Sequence, residues 1–409
     1  MGEEVCVYCV QIKMKEIDKL FFELIRVAIG TQDCLSHTPT ADEWGKLYKA
    51  AKKQSLVGVC FAALQKLGAD ADDPSLRQTQ GKLGSGQEDT FARIGMSEDL
   101  YFDWMGMAAT IQQRNEVVTR QCAELQAKLS TDGYKSAILK GQDYARYYKA
   151  EDVVNDLHLL RQSGDIDLWV DGNRDDVIRY VRGLGVEVGH VDIKHSDMHF
   201  FEDTEVEVHF QPSWMYCPKT SKRLMEWFQT LKFEEFEKVM VRLCSPTEKG
   251  MVVPPLEFSL VYCMVHIYRH FFSEGIGLRQ VLDMYFLLLH SSKEQREEAM
   301  RVMDGLHMRK AVSGITYLLL ECFGMDSSML FCKADEKLGR FLLSEMMTTG
   351  NFGHDDTRYK HLEKSHRWQR GFIGLKHNWK YLLYFPEEVL WSPFWKLWHY
   401  CWRKRRGYL

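Results

Sequence analysis

The segment Ser163-Gly164-Asp165-Ile166-Asp167-Leu168-Trp169-Val170 sets two aspartates two residues apart in an apolar, β-branched run, directly after a glycine. In a β-strand, residues i and i+2 point to the same face. Asp165 and Asp167 therefore project side by side, while Ile166, Leu168 and Val170 alternate with them. Two close carboxylates repel each other unless a cation neutralises them, and a divalent metal is the simplest such cation. An isolated Asp-x-Asp is more often a solvated strand end paired with Lys or Arg, but the flanking segments argue for more. Upstream, Ala137-Ile138-Leu139-Lys140-Gly141 reads as a strand running into a glycine turn, with a helix-compatible stretch from Gln142 to Tyr148 behind it. Downstream, Glu205-Val206-Glu207-Val208-His209-Phe210 alternates with period two and carries its acids on one face.

These segments carry a resemblance. They resemble the nucleotidyltransferase superfamily, whose catalytic core is shared with DNA polymerase β and kanamycin-type adenylyltransferases. They are more closely similar to a bacterial family of uncharacterised nucleotidyltransferases. That family's Leu-Lys-Gly segment stands here as Leu139-Lys140-Gly141, its Arg-x-x-Gly-Asp-x-Asp-Leu-x-Val segment as Arg161 to Val170, and its acid-x-His segment as Glu207-Val208-His209. A helical stretch with His266 and His270, then Leu278-Arg279 and Asp283, fits as well. The resemblance implies an α+β fold: a small mixed-sheet nucleotidyltransferase core flanked by N- and C-terminal helical regions. It also implies a metal-dependent transfer of a nucleoside monophosphate from a nucleoside triphosphate, ATP by default, to an unidentified acceptor. One departure stands out. The superfamily has Gly-Ser or Gly-Gly after the first strand, and this chain has Gly141-Gln142. A nucleotide-binding or regulatory protein that kept the fold without turnover, and a toxin-like transferase modifying RNA or protein, are the alternative expectations.

Nucleotidyl transfer asks for stabilised charge on the phosphoryl group and for in-line attacking and leaving oxygens. Two magnesium ions serve that purpose, and magnesium takes hard oxygen ligands. Asp165, Asp167 and Glu207 are thus the expected catalytic residues and metal ligands, with Glu207 also placed to help deprotonate an acceptor hydroxyl. Glu205 is expected to be a solvated strand residue. Lys140, Gly141, Arg161 and Gly164 are the expected nucleotide-binding residues. Glycine permits close backbone approach to phosphate, and lysine offers a point charge. Arg161 either clamps a phosphate or pairs with Asp165 or Asp167. His209, His266, His270, Arg279 and Asp283 form a candidate substrate pocket. His209 either orients Glu207 or touches substrate, or it is a hydrogen-bonded edge histidine. His266 and His270, four apart, share a helix face, with a polar network favoured over zinc because no third ligand is evident. Arg279 and Asp283 have the same spacing and make either an ion pair or a pocket wall.

The formal net charge of −4 exerts no global pull toward nucleic acid, so an RNA partner would need a local basic surface. No run approaches the roughly 18 apolar residues of a membrane helix, and Met1-Gly2-Glu3-Glu4 lacks the features of a signal peptide. A cytoplasmic location is expected. Cysteines such as Cys60, Cys122, Cys263 and Cys322 fall in apolar segments and read as reduced core thiols. Cys6-Val7-Tyr8-Cys9 has no second pair at zinc-site spacing.

Five stretches follow along the chain. Residues 1–13 read as a mobile tail, or as an upstream start that adds little to the fold. Residues 14–132 form a helical region with a loop at 68–89, and Thr40 and Glu43 have capping-box spacing. Gly81 to Gly86 superficially resembles a phosphate cradle but lacks the P-loop ending. The core spans 133–216, with a helix from Asp175 to Leu184 and a loop or short helix near the site at 150–156. Residues 217–349 are helical, with Pro254-Pro255 marking a helix start. Residues 350–409 form a Trp-rich basic segment. There Trp391, Trp395, Trp398 and Trp402 fall on one helical face ahead of Arg403-Lys404-Arg405-Arg406. This face either packs on the core or, across 391–406, contacts a membrane surface or RNA.

Overall fold

The computed structural model describes residues 14–69, 90–149, 157–241, 249–273, 275–353 and 378–408. The expected N-terminal tail, nearly all of the 68–89 loop with its glycine cluster, the 150–156 loop and the first part of the Trp-rich segment lie outside the described residues.

The N-terminal region forms α1 (Glu16–Ile29), α2 (Ala41–Lys53), α3 (Val57–Gly68), α4 (Thr90–Arg93) and the long α5 (Glu98–Thr131). The capping box at α2 is formed. Glu43 N donates to Thr40 Oγ1 at 3.3 Å, and Thr40 N donates to Glu43 Oε2 at 2.8 Å. Two backbone N–H groups that the helix cannot itself satisfy are thereby met.

The core follows as β1 (Ser136–Ile138), α6 (Gln142–Ala145), α7 (Leu157–Leu160), β2 (Ile166–Val170), α8 (Arg174–Gly183), β3 (Val188–Val191), β4 (His195–Met198) and β5 (Val206–His209). The strands form one sheet in the order β1-β2-β5-β4-β3, parallel between β2 and β5 and antiparallel elsewhere. Period-two alternation divides it into two faces. Ile138, Ile166, Leu168, Val170, Val206 and Val208 point into an apolar layer with Val177, Val181 and the C-terminal half of α5. Asp167, Trp169, Glu207 and His209 occupy the other face. There Trp169 packs against Phe228, Phe233, Phe236 and Phe258 of the following helical half.

That half holds α9 (Pro218–Thr230), β6 (Glu237–Val241), β7 (Lys249–Val253), α10 (Leu256–His270), α11 (Leu278–Leu289), α12 (Lys293–Gly305), α13 (Arg309–Phe323), α14 (Glu336–Thr349) and α15 (Pro386–Arg405). The β6–β7 hairpin interrupts what the sequence presents as helical from residue 217 onward; Met251 and Val253 bury themselves in the sheet's apolar layer. Pro255 caps α10, as the Pro-Pro pair predicts. The two halves are stitched by buried polar groups. Gln54 Oε1 accepts from Leu278 N at the start of α11 (2.9 Å), and its amide donates to Met346 O of α14 (2.9 Å).

In α15 the tryptophans divide. Trp395 stacks on Trp214, whereas Trp391 and Trp398 stay about half exposed beside Leu390, Phe394 and Leu397. The described cysteines are all free, and Cys60, Cys122, Cys263 and Cys322 are buried. Among the described residues no helix is long and apolar enough to cross a membrane.

Candidate active site

The register of β2 and β5 builds the site. The parallel pairing sets Asp167 opposite Glu207 and Trp169 opposite His209. Antiparallel pairing with β4 then sets His195 opposite His209 and Asp197 opposite Glu207. On β1's side, Leu139 N donates to Asp167 O at 3.0 Å, which brings Lys140 alongside. Gly141 follows with φ +66° and ψ −103°, a conformation that favours glycine and turns the chain sharply into α6.

One ligand atom each from Asp165, Asp167 and Glu207 lies within a 4.8 Å cluster. The Lys140 ammonium sits among them, 2.6 Å from Asp167 Oδ2 and 3.4 Å from Asp165 Oδ1. It stands where a metal cation would, so carboxylates and cation hole fit a hard divalent ion. Asp167 is 1% exposed, and its Oδ1 lies 3.0 Å from His209 Nε2. Glu207 Oε2 is 3.4 Å from His209 Nε2, 3.4 Å from His195 Nδ1 and 3.9 Å from Lys194 Nζ.

This packing of charge divides the titrations. Burial, reinforced by the neighbouring Asp167, raises the Asp165 carboxyl. Burial presses the same way on Asp167, but Lys140 and the His209 hydrogen bond outweigh it and hold that group below the usual carboxylate range. Burial likewise opposes the charge on Glu207, yet His209, Lys194 and His195 hold it far below its ordinary value. So held, Glu207 suits ligation better than proton abstraction. Burial works against the Lys140 ammonium, which the three acids keep charged. Burial and Lys194 lower His195 to about 3, so its imidazole is neutral.

The remaining residues singled out by sequence fall into place differently. Glu205 is exposed and outside the cluster, as expected. Gly164 is exposed with open space around its Cα, so a side chain would fit there. Arg161 does not pair with Asp165 or Asp167. It is buried and makes a bidentate pair with Asp283 (Nε–Oδ1 2.6 Å, Nη2–Oδ2 2.8 Å), to which Tyr148 also donates at 2.7 Å. A guanidinium taken out of water needs a buried carboxylate, and α11 supplies one. The expected Arg279–Asp283 ion pair is thereby displaced: Arg279 instead donates to Gln162 O at 2.8 Å, three residues before Asp165. The departure at Gln142 also has a structural account, since its amide is buried and donates to Thr119 Oγ1 (2.7 Å) and Asn115 O (3.2 Å). It ties α6 to α5. His266 and His270 hold their rings 4.3 Å apart with planes tilted by 57°, and burial keeps both imidazoles neutral. Among the described residues no third donor joins them in a metal-sized cluster.

Sequence reasoning passed over Lys194, His195 and Arg269. His195, Asp197 and His199 alternate with period two, as Glu205, Glu207 and His209 do, and that pattern was the available signal. Arg269 had none. Its guanidinium lies 3.7 Å over the Trp214 ring with Nε buried and unbonded, and burial lowers its pKa.

No curated protein matches the chain. Among solved structures, the crystal structure of an antigenic nucleotidyltransferase-like protein from Paracoccidioides brasiliensis is similar at 12% identity and a TM-score of 0.30, covering 49% of this chain and 91% of that one. A family model described as uncharacterised nucleotidyltransferase matches residues 40–324, more than half of the chain. The protein thus belongs to the uncharacterised nucleotidyltransferase family.

Proposed function

We propose that the protein transfers a nucleoside monophosphate from a nucleoside triphosphate, with ATP as the default donor, to an acceptor hydroxyl. The observation that carries this is the convergence of the Asp165, Asp167 and Glu207 carboxylates around one part-buried ammonium. Asp165, Asp167 and Glu207 hold divalent metal, with magnesium the expected ion. When bound, the metal neutralises charge on the reacting phosphate. Lys140, which now pairs with Asp167 and Asp165, would be free to meet the triphosphate's charge were that ion bound. Arg279, within electrostatic reach of Asp165, and Arg269, within reach of Lys194, add positive charge near the site. Neither guanidinium has an ion-pair partner among the described residues, so both keep a full charge for an anionic substrate. In the reaction the acceptor oxygen bonds to the α-phosphorus, the bond to the bridging oxygen breaks, and pyrophosphate leaves. The acceptor's proton passes to a carboxylate of the trio. Arg161 and Gln142 position the site by locking α7 and α6 to their neighbours.

The test is incubation of the full chain with nucleoside triphosphates labelled at the α-phosphate and a cell extract. A macromolecule or small molecule that gains label with the protein, but not with Asp165→Asn plus Asp167→Asn, supports the assignment and identifies the acceptor. Equal labelling by both proteins would sink it.

A further inference from the structure

The same sheet face holds a second donor set. His195, Glu207 and His209 each offer a ligand atom within a 4.8 Å cluster. Glu207 belongs both to this set and to the carboxylate set. The strand register produces this: His195 and His209 are cross-strand partners on β4 and β5, and Glu207 precedes His209 by two residues on the same face. Both imidazoles are buried, His195 at 9% exposure and His209 at 1%.

The spacing is informative. Glu207 Oε2 lies 3.4 Å from His195 Nδ1 and 3.4 Å from His209 Nε2, whose 3.0 Å contact with Asp167 Oδ1 a bound ion would replace. The two Glu207 gaps are long for good hydrogen bonds. They match the edge of a tetrahedron built on bonds of about 2.0–2.1 Å to imidazole and carboxylate, roughly 3.3 Å. His195 Nδ1 is buried and has no hydrogen-bond partner, although it points at Glu207. An orphaned buried nitrogen is costly, and a metal ion satisfies it. The other nitrogen of His195 approaches Asp197 Oδ1 at 3.6 Å. That is the side from which a carboxylate orients a ligating histidine once the ring settles on a metal.

Donor chemistry selects the ion. Magnesium takes oxygen and keeps its waters, whereas imidazole suits zinc and the neighbouring first-row ions. We propose that His195, Glu207 and His209 form a nitrogen-containing metal site that takes a zinc-class transition ion and is bridged through Glu207 to the carboxylate site. The proposal rests on the metal-dependent transferase assignment for its setting, but it concerns which ion binds.

The test is calorimetry and metal analysis on the full chain, stripped with chelator, in a Cys6→Ser plus Cys9→Ser background that removes the N-terminal thiol pair. Zinc chloride and magnesium chloride are the probes. One zinc is expected to bind far more tightly than magnesium. Outer-shell changes at metal sites cost 10–100-fold, so loss of a direct ligand in His195→Ala should weaken zinc by more than about 100-fold. Magnesium binding should change by less than about threefold. His195→Gln, which keeps the bulk and a polar group, should lose zinc as well, and matched thermal melts without metal show that both variants fold. Unchanged zinc affinity in folded His195→Ala or His195→Gln overturns the proposal, as does zinc binding no tighter than magnesium. The two assignments fail separately. Intact nucleotide labelling with zinc indifferent to His195 removes only the second site. A His195-dependent zinc site in a protein that labels nothing keeps the site and removes the transferase.

Discussion

Lys140 gives the most direct test of the cation hole. Its side chain is 17% exposed and bridges Asp167 and Asp165 at 2.6 and 3.4 Å. In Lys140→Met, Asp167 keeps only His209 as a counter-group, and Asp165 has no ion-pair partner among the described residues. Removing one member of a buried pair costs about 3–5 kcal/mol, because a charge is stranded out of water. A divalent ion filling the same place would reverse that loss. At a concentration 100-fold above its dissociation constant it returns about 2.7 kcal/mol. In the wild-type protein the ion must first displace the ammonium, so its net benefit is smaller. Urea denaturation of both proteins, with and without divalent metal at constant ionic strength, measures all four stabilities. The expected pattern is a deep loss without metal and recovery of most of it with metal, in the variant alone. A variant equally unstable in both buffers, or one as stable as wild type without metal, refutes the cation-hole account.

Further outcomes follow from neighbouring contacts. Arg161→Met should cost about 3–5 kcal/mol in chemical denaturation, and adding Asp283→Leu should recover much of it, because the stranded carboxylate is then gone; a double variant no better than the single would argue against the pair. Asp143 is fully buried against Arg146 and Ser259, and burial raises its carboxyl to about 6. The folded protein thus binds this proton more readily than the unfolded chain, so the associated stability is full below about pH 4 and lost as pH rises through 6, a swing of about 3 kcal/mol. Denaturation of wild type and Asp143→Asn across that range should show the wild type losing ground by that amount as pH rises, and a constant difference would contradict it. At Gly58 an added Cβ would meet Leu160 O at 2.2 Å. Gly58→Ala should therefore cost about 1–3 kcal/mol by overpacking α3 against α7, read as a lowered melting temperature.

The chain's own pattern reveals the acidic trio and hides much of its surroundings. Alternation is a local rule, so Asp165, Asp167 and Glu207 could be assigned a face from their own strands, and the β2–β5 register then joins them. Partner choice is not local. Arg161 finds Asp283 across more than a hundred residues, and no spacing rule prefers that carboxylate to Asp165 or Asp167. Gln142 looks like a lost phosphate contact in sequence and proves to be a tie between α6 and α5. The β6–β7 hairpin was obscured for another reason: its strands are short, and Lys249-Gly250-Met251-Val252-Val253 has only a brief apolar run that suits helix or strand equally.

The Trp-rich C-terminus shows how an apparently separate signal bears on the site. Trp395 of α15 stacks on Trp214 with centroids 3.7 Å apart and planes 7° from parallel. Arg269 lies 3.7 Å from the centre of the same ring. Two flat groups that close to one ring must occupy its opposite faces, so Trp214 is sandwiched between the C-terminal helix and the arginine. Glu388 fastens the same helix to the loop beyond β5, accepting from Tyr216 N at 2.7 Å and Cys217 N at 3.1 Å. A carboxylate could hold Arg269 equally well, but it would also neutralise it. Aromatic stacking orients the guanidinium and leaves its charge available. A helix beyond the last family-matched residue, 324, therefore holds the ring on which Arg269 rests, and the stacking leaves that guanidinium charged.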